Sequence, residues 1–112
     1  DMARFLDELS IRNLGAYFDV GNVAIFSRPE HWIEILGHRI QKIHVKDFLK
    51  SGTNAGTFVN LMEGSVNWGK VVSALRAIGY KGYLTAELGA MEEANDYMMM
   101  ITERALDHIL SL

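Results

Sequence analysis

The chain has no cysteine, a single proline and no long apolar run, and the missing cysteine and apolar run each remove a class of protein. Without cysteine there is neither a disulfide framework nor a thiolate metal site, so any bound metal must be held by histidine and carboxylate, and the redox compartment is left open. No stretch approaches the roughly 18 apolar residues of a membrane span, and no basic-then-apolar segment opens the chain as a secretory signal would. The plain expectation is a cytoplasmic protein with no membrane partner. Basic residues are also sparse: 11 Lys and Arg against 14 Asp and Glu give a formal charge of -3. With no dense Lys/Arg cluster, nucleic acid is not an expected partner. A phosphorylated small molecule is not excluded, because a local pocket can be positive where the whole is not.

What is present is the make-up of one domain with a real core: 112 residues, 49% hydrophobic and 22% charged. Met2, Phe5, Leu6 and Leu9 recur at helical spacing from the first residues, with no strand before them. That start is expected of a piece of a longer protein. Asn13 to Gly15 stops the helix, and a strand follows at about Ala16 to Val20, which Gly21-Asn22 is expected to break. Ser27 is a candidate cap and Pro29 a first-turn residue for a helix over Glu30 to Leu36, ended by Gly37. A second strand is expected at about Lys42 to Lys46. Phe48 to Val66, with glycine at 52, 56 and 64 and no sustained periodicity, reads as a long functional or disordered loop. Asn67 caps a helix carrying Val71, Val72, Leu75 and Ile78, Gly79 ends it, and a third strand spans Gly82 to Glu87. A last helix, about Met91 to Leu110, carries a stripe of Ala94, Met98, Ile101, Ala105 and Ile109.

Helix and strand therefore alternate, giving three strands and four helices. Parallel strands need such crossovers, so the expected class is α/β with a parallel sheet. Sites in these folds lie beyond the carboxyl ends of the strands. Each predicted strand is there marked by a side chain able to hold a divalent metal: Asp19 after Tyr17-Phe18, His44 within Ile43-His44-Val45-Lys46-Asp47, and Glu87 after Leu84-Thr85-Ala86. On physical grounds Glu87 is the strongest of the three, since an acidic group ending an apolar run is costly to bury without a partner. Asp19 has the alternative of shaping a strand-to-helix turn, and His44 that of a satisfied core histidine.

These residues carry a resemblance. Asp19-Val20-Gly21-Asn22, Ile43-His44-Val45-Lys46-Asp47, Glu63-Gly64-Ser65-Val66-Asn67-Trp68 and Gly79-Tyr80-Lys81-Gly82 leading to Leu84-Thr85-Ala86-Glu87 occur in order over nearly the whole chain. Together they resemble the C-terminal part of the sugar phosphate isomerase/epimerase family, xylose-isomerase-like barrels that include L-ribulose-5-phosphate 3-epimerases and hexulose-6-phosphate isomerases. The resemblance implies that residues 1–112 form one C-terminal half-barrel fragment of a (β/α)8 barrel. It also implies a divalent metal (Mn, Zn, Co or Mg) held by one Asp, one His and two Glu, of which Asp19, His44 and Glu87 match three. The fourth, a Glu, belongs to an earlier strand that this sequence does not contain. In related ketose epimerases the two Glu are an acid/base pair, so Glu87 is also the catalytic candidate. Asn22 and Lys46 are the substrate-binding candidates, although Asn22 stands where relatives sometimes carry His and so loses titration.

The implied activity is isomerisation or epimerisation of a ketose or ketose phosphate by the intact barrel, and the implied partner is a small sugar or sugar phosphate. Proton removal beside a ketone is difficult, and a metal that polarises the carbonyl together with a carboxylate base answers that difficulty. Two other readings stand beside it. One is a non-catalytic, metal-binding or interaction half-barrel; the other is a barrel-type phosphodiester hydrolase like the AP endonucleases, against which three ligands argue. Open sheet edges should drive association with a second copy or another chain.

The remaining polar residues point less sharply. Lys46 could equally form a structural ion pair, and Asp47 a turn. Arg28, Lys46, Lys50 and the Gly64-Ser65 turn are all candidates for a phosphate, and the sequence distinguishes none of them. His31, His38 and His108 read as surface or edge residues, and Trp32, Trp68 and Met98-Met99-Met100 as packing.

Overall fold

Alternation decides the sheet. In β1 (Ala16–Asp19) and β2 (Ile40–Val45), Phe18, Ile43 and Val45 are buried, whereas Tyr17, Asp19, Lys42 and His44 take the other parity and the other side. The computed structural model describes residues 2–112. Its principal sheet has three parallel strands in the order β1, β2 and then Leu84–Ala86, which is β5. Register sets Tyr17 opposite Lys42, Asp19 opposite His44, and His44 opposite Thr85.

Helices cover only the apolar side. They are α1 (Met2–Leu9), α2 (Val20–Phe26), α3 (Pro29–Leu36), α4 (Trp68–Ala77) and α5 (Asn95–Ser111), with a 3-10 turn over Gly37–Arg39. Phe18, Val20, Ile33, Ile43, Val45, Val71 and Ile109 lie in one core cluster between sheet and helices. At about 25 cal/mol per Å² of apolar surface removed from water, each fully buried Ile or Val contributes roughly 1.5–3 kcal/mol before the entropy of ordering is counted. The opposite side of the sheet, with Tyr17, Lys42, His44 and Thr85, is left without helices.

Five α-helices form, one more than the sequence suggests, because Gly21-Asn22 begins a helix instead of breaking a strand. The Asp19 carboxylate accepts the Asn22 N–H at 2.7 Å and caps α2. Gly21 is needed for close approach: a Cβ there would lie 2.7 Å from the Lys46 carbonyl oxygen. The strand consequently ends at Asp19, not Val20. Ser27, expected to cap the next helix, closes α2 from its other end through its N–H to the Val23 carbonyl at 2.9 Å. Arg28 takes the cap position of α3 without a side-chain bond, and Pro29 is its first residue.

The presumed loop is also partly ordered. Asp47–Gly52 (β3) and Ala55–Val59 (β4) form an antiparallel hairpin. Its outer residues are exposed on both faces, so it lacks the one-sided alternation that marks a strand in sequence. The last helix starts at Asn95 instead of Met91, whose N–H bonds the Asn95 side-chain oxygen at 3.2 Å ahead of the first turn. Among the described residues no helix is long and apolar enough to cross a membrane.

Candidate metal centre

The in-register pairing of β1 and β2 puts Asp19 beside His44, and the Glu87 N–H donates to the Val45 carbonyl at 3.1 Å, which continues the line of β5 past its last paired residue. Three chain segments thereby deliver three side chains to one sheet end. His44 Nδ1 lies 3.8 Å from Asp19 Oδ2 and 3.5 Å from Glu87 Oε2. One donor atom from each residue falls within a 4.8 Å cluster, the one group of this kind among the described residues. Side-chain exposure rises from 14% at Asp19 through 26% at His44 to 48% at Glu87, so the cluster is sheltered on one flank and open on the other.

The hydrogen-bond pattern leaves these donors facing one another. Asp19 Oδ1 is occupied by the Asn22 N–H, which turns Oδ2 toward His44. On the far edge of the imidazole, Nε2 meets the Tyr17 hydroxyl at 2.5 Å, with the two rings 4.4 Å apart. A ring whose Nε2–H donates to that hydroxyl presents an unprotonated Nδ1 to the two carboxylates. Tyr17 was not foreseen as part of the site. Its position two residues before Asp19 on the same strand was the available signal, since that spacing places both on one face.

Lys46 forms an ion pair. Its Nζ is 2.8 Å from Glu87 Oε2 and 4.5 Å from the centroid of the Phe58 ring, so the hairpin packs over it. A cavity of about 470 Å³, lined by Lys46, Phe58, Asn60, Glu87 and Met98 among others, opens on this flank. Asn22 lies on the other flank, in a separate cleft with Tyr17, Asp19 and Phe26. The two substrate-contact candidates are therefore on opposite sides of the cluster.

Electrostatics separates the two carboxyl groups. Burial pushes the Asp19 carboxyl above its ordinary range against the opposing pull of the Asn22 N–H and Lys46. The Lys46 hydrogen bond holds Glu87 below its ordinary range, helped by the Lys46 charge, Asp19 and His44.

One nitrogen and two carboxylate oxygens make a borderline donor set that suits zinc, manganese or cobalt. Bonds of about 2.0–2.2 Å place the donors around one ion roughly 3–4.4 Å apart, so the separations of 3.5 and 3.8 Å fit and the 4.8 Å spread needs only a small rotamer adjustment. These three residues could hold a divalent metal.

A family model described as xylose isomerase-like TIM barrel matches residues 1–108. The chain belongs to that family. No curated protein sequence matches it. Among solved structures, a xylose isomerase domain protein from Planctomyces limnophilus is similar with a TM-score of 0.81 and 25% identity, over 98% of this chain and 41% of that one. The IolI protein, solved with a bound zinc atom, is similar with a TM-score of 0.79 and 18% identity, over 98% of this chain and 42% of that one. The chain thus spans about two-fifths of the length of these neighbours. Family membership explains the helix-free side of the sheet: in a (β/α)8 barrel that side faces the axis, and the cluster lies at the carboxyl ends of the strands, where barrel sites are built.

Proposed function

We propose that this chain is the C-terminal part of a barrel that isomerises or epimerises a ketose or ketose phosphate, with a divalent metal held by Asp19, His44 and Glu87. The convergence of His44 Nδ1 with Asp19 Oδ2 and Glu87 Oε2 carries this reading. A metal bound there would polarise a carbonyl oxygen and offset the charge that develops as a neighbouring proton leaves. Glu87 Oε2 faces His44 and Lys46, and the Glu87 carboxylate is the group that would take up that proton. Lys46 keeps Glu87 ionised and hence in the form a base requires. Tyr17 fixes the imidazole, while Asn22 and Lys46 contact the sugar from the two flanks.

Return of the proton on the other face calls for a second carboxylate, which the resemblance assigns to a Glu on an earlier strand. The strand edges of β1 and β5 are then closed by the rest of the barrel or by a second copy. A soluble sugar substrate goes with a cytoplasmic setting. The alternative, a multinuclear hydrolase, would need further ligands beside Asp19, His44 and Glu87.

The test is proton exchange by the intact protein in D₂O, loaded with Mn²⁺, Zn²⁺, Co²⁺ or Mg²⁺ and offered ketoses and ketose phosphates. Deuterium should enter the carbon next to the carbonyl and should stop entering in Glu87→Gln. Tight metal binding with no exchange on any of these sugars would overturn the enzymatic reading in favour of a metal-binding module.

A further inference from the structure

Away from the metal cluster, a cleft of about 290 Å³ lies where the starts of α3 and α4 meet the hairpin strand β3. Three cations line it, Arg28, Lys50 and Lys70, with Ser65, Asn67 and the single carboxylate Glu30. They come from three separate segments, so sequence proximity does not explain their meeting. Of the four phosphate candidates in the sequence, Arg28, Lys50 and Ser65 converge here, while Lys46 lies outside the cleft beside Glu87.

Local bonding leaves donors aimed outward. The Lys50 N–H donates to Ser65 Oγ at 3.1 Å, so the Ser65 hydroxyl proton remains to be given elsewhere. The Lys70 N–H donates to Asn67 Oδ1 at 3.1 Å, which leaves the Asn67 amide group as a donor. Asn67 and Arg28 are the cap residues of α4 and α3, so the positive ends of both helices border the same space. Glu30 supplies the second clue. It is 8% exposed and makes no hydrogen bond or ion pair with the described residues, while its carboxylate oxygens are not sealed from the cleft. Three cations against one carboxylate leave a surplus of positive charge, together with one acceptor that lacks a donor.

The geometry points to a binding site for a small phosphate monoester that also carries hydroxyl groups. Arg28, Lys50 and Lys70 take the phosphate with the Ser65 and Asn67 donors, and a hydroxyl of the ester donates to Glu30. The volume suits a phosphate with a few attached carbons and excludes a dinucleotide. The site stands apart from the metal cluster: Ala24 in its wall is about 7–8 Å along α2 from Asp19, by the rise of a helix. The inference therefore does not depend on the proposed reaction.

The test is a titration of the chain at constant ionic strength with inorganic phosphate and with glycerol 3-phosphate, read from the amide signals of Glu30, Lys50, Ser65 and Lys70. Both should shift those signals saturably, the ester at several-fold lower concentration. Lys50→Gln and Lys70→Gln, exposed replacements whose folding circular dichroism checks, should each weaken binding about tenfold. Glu30→Gln should strengthen inorganic phosphate and shrink the advantage of the ester. Shifts that do not saturate, or that spread equally to Lys42 and Lys81, overturn the site. Equal affinity for phosphate and ester overturns the hydroxyl contact to Glu30. Because metal binding at Asp19, His44 and Glu87 is measured separately, failure here leaves the metal reading standing, and the converse holds.

Discussion

The Asp47 carboxylate accepts the indole N–H of Trp68, 21 residues further along the chain, at 3.0 Å. The same carboxylate takes the backbone N–H groups of Phe48 at 2.9 Å, Met62 at 3.0 Å and Val66 at 3.3 Å, and its residue is 0% exposed. One carboxyl group thus organises the segment between the hairpin and α4, immediately after Lys46. Four N–H groups converge on its two oxygens and satisfy them.

Asp47→Ala should therefore lower stability by about 3–5 kcal/mol, since it strands several buried donors at once. Gly64→Ala should cost about 1–3 kcal/mol, because a Cβ at that position would lie 2.0 Å from Asp47 Oδ1. Urea unfolding followed by tryptophan fluorescence reads both. An Asp47→Ala midpoint equal to that of the parent chain would show that the network contributes nothing.

Metal binding should raise the melting temperature, and chelation should reverse the rise. At a free metal concentration one hundred times Kd the gain corresponds to about 2.7 kcal/mol. Asp19→Asn, His44→Ala and Glu87→Gln should each reduce affinity at least tenfold by calorimetry. Retention of parental affinity in all three sinks the assignment.

Tyr17→Phe isolates the role of the hydroxyl on His44 Nε2. Tyr17 is more than half exposed, so the fold should survive, and metal affinity should fall about tenfold as the ring loses its orienting partner. A loss of stability without a loss of affinity would instead assign Tyr17 to packing alone.

The two site carboxyls should respond to pH in opposite senses. Glu87 is held below 4.5, so its ionised form stabilises the fold above that value, and the contribution disappears as pH falls through the lowered folded-state pKa. Asp19 is held above 3.8, so its ionisation opposes folding increasingly as pH rises from 3.8 through the raised value. Lys46→Met should move the Glu87 titration upward in carbon-detected NMR. Proton release on metal binding just above pH 3.8, read as the dependence of binding heat on the ionisation enthalpy of the buffer, should be smaller in Asp19→Asn than in the parent chain.

The end of α1 is tied down by Asp7, whose two carboxylate oxygens accept from Arg39 at 2.7 and 2.6 Å. The pair holds Asp7 below 3.8, so its support is complete above that value and is lost as pH falls through the lowered pKa. Hydrogen exchange of the α1 amides should quicken in that acid range and, in Asp7→Asn, at neutral pH as well. Unchanged exchange in the variant would show that α1 is held by Leu6 and its apolar neighbours.

Elements with one buried face were readable in the chain because burial imposes a period on the residues that supply it. Phe18, Ile43 and Val45 alternate with polar neighbours, and Val71, Val72 and Leu75 recur at helical spacing, so β1, β2 and α4 are visible without coordinates. The hairpin has no buried face to impose such a period. Gly21 misled for a related reason: glycine reads as a breaker along the chain, whereas here it serves a close contact with the Lys46 carbonyl that only the packed molecule contains.

By itself, then, the sequence determined the parallel α/β class, the three strand ends and the identity of the possible ligands, because each is a local matter of period and residue chemistry. Only the tertiary structure decided which groups meet: that Lys46 pairs with Glu87, that Tyr17 closes on His44, that Asp47 is buried under four N–H donors and that Arg28, Lys50 and Lys70 share a cleft. Such meetings depend on strand register and crossover geometry, which relate residues far apart in the chain and leave no trace in the spacing between them.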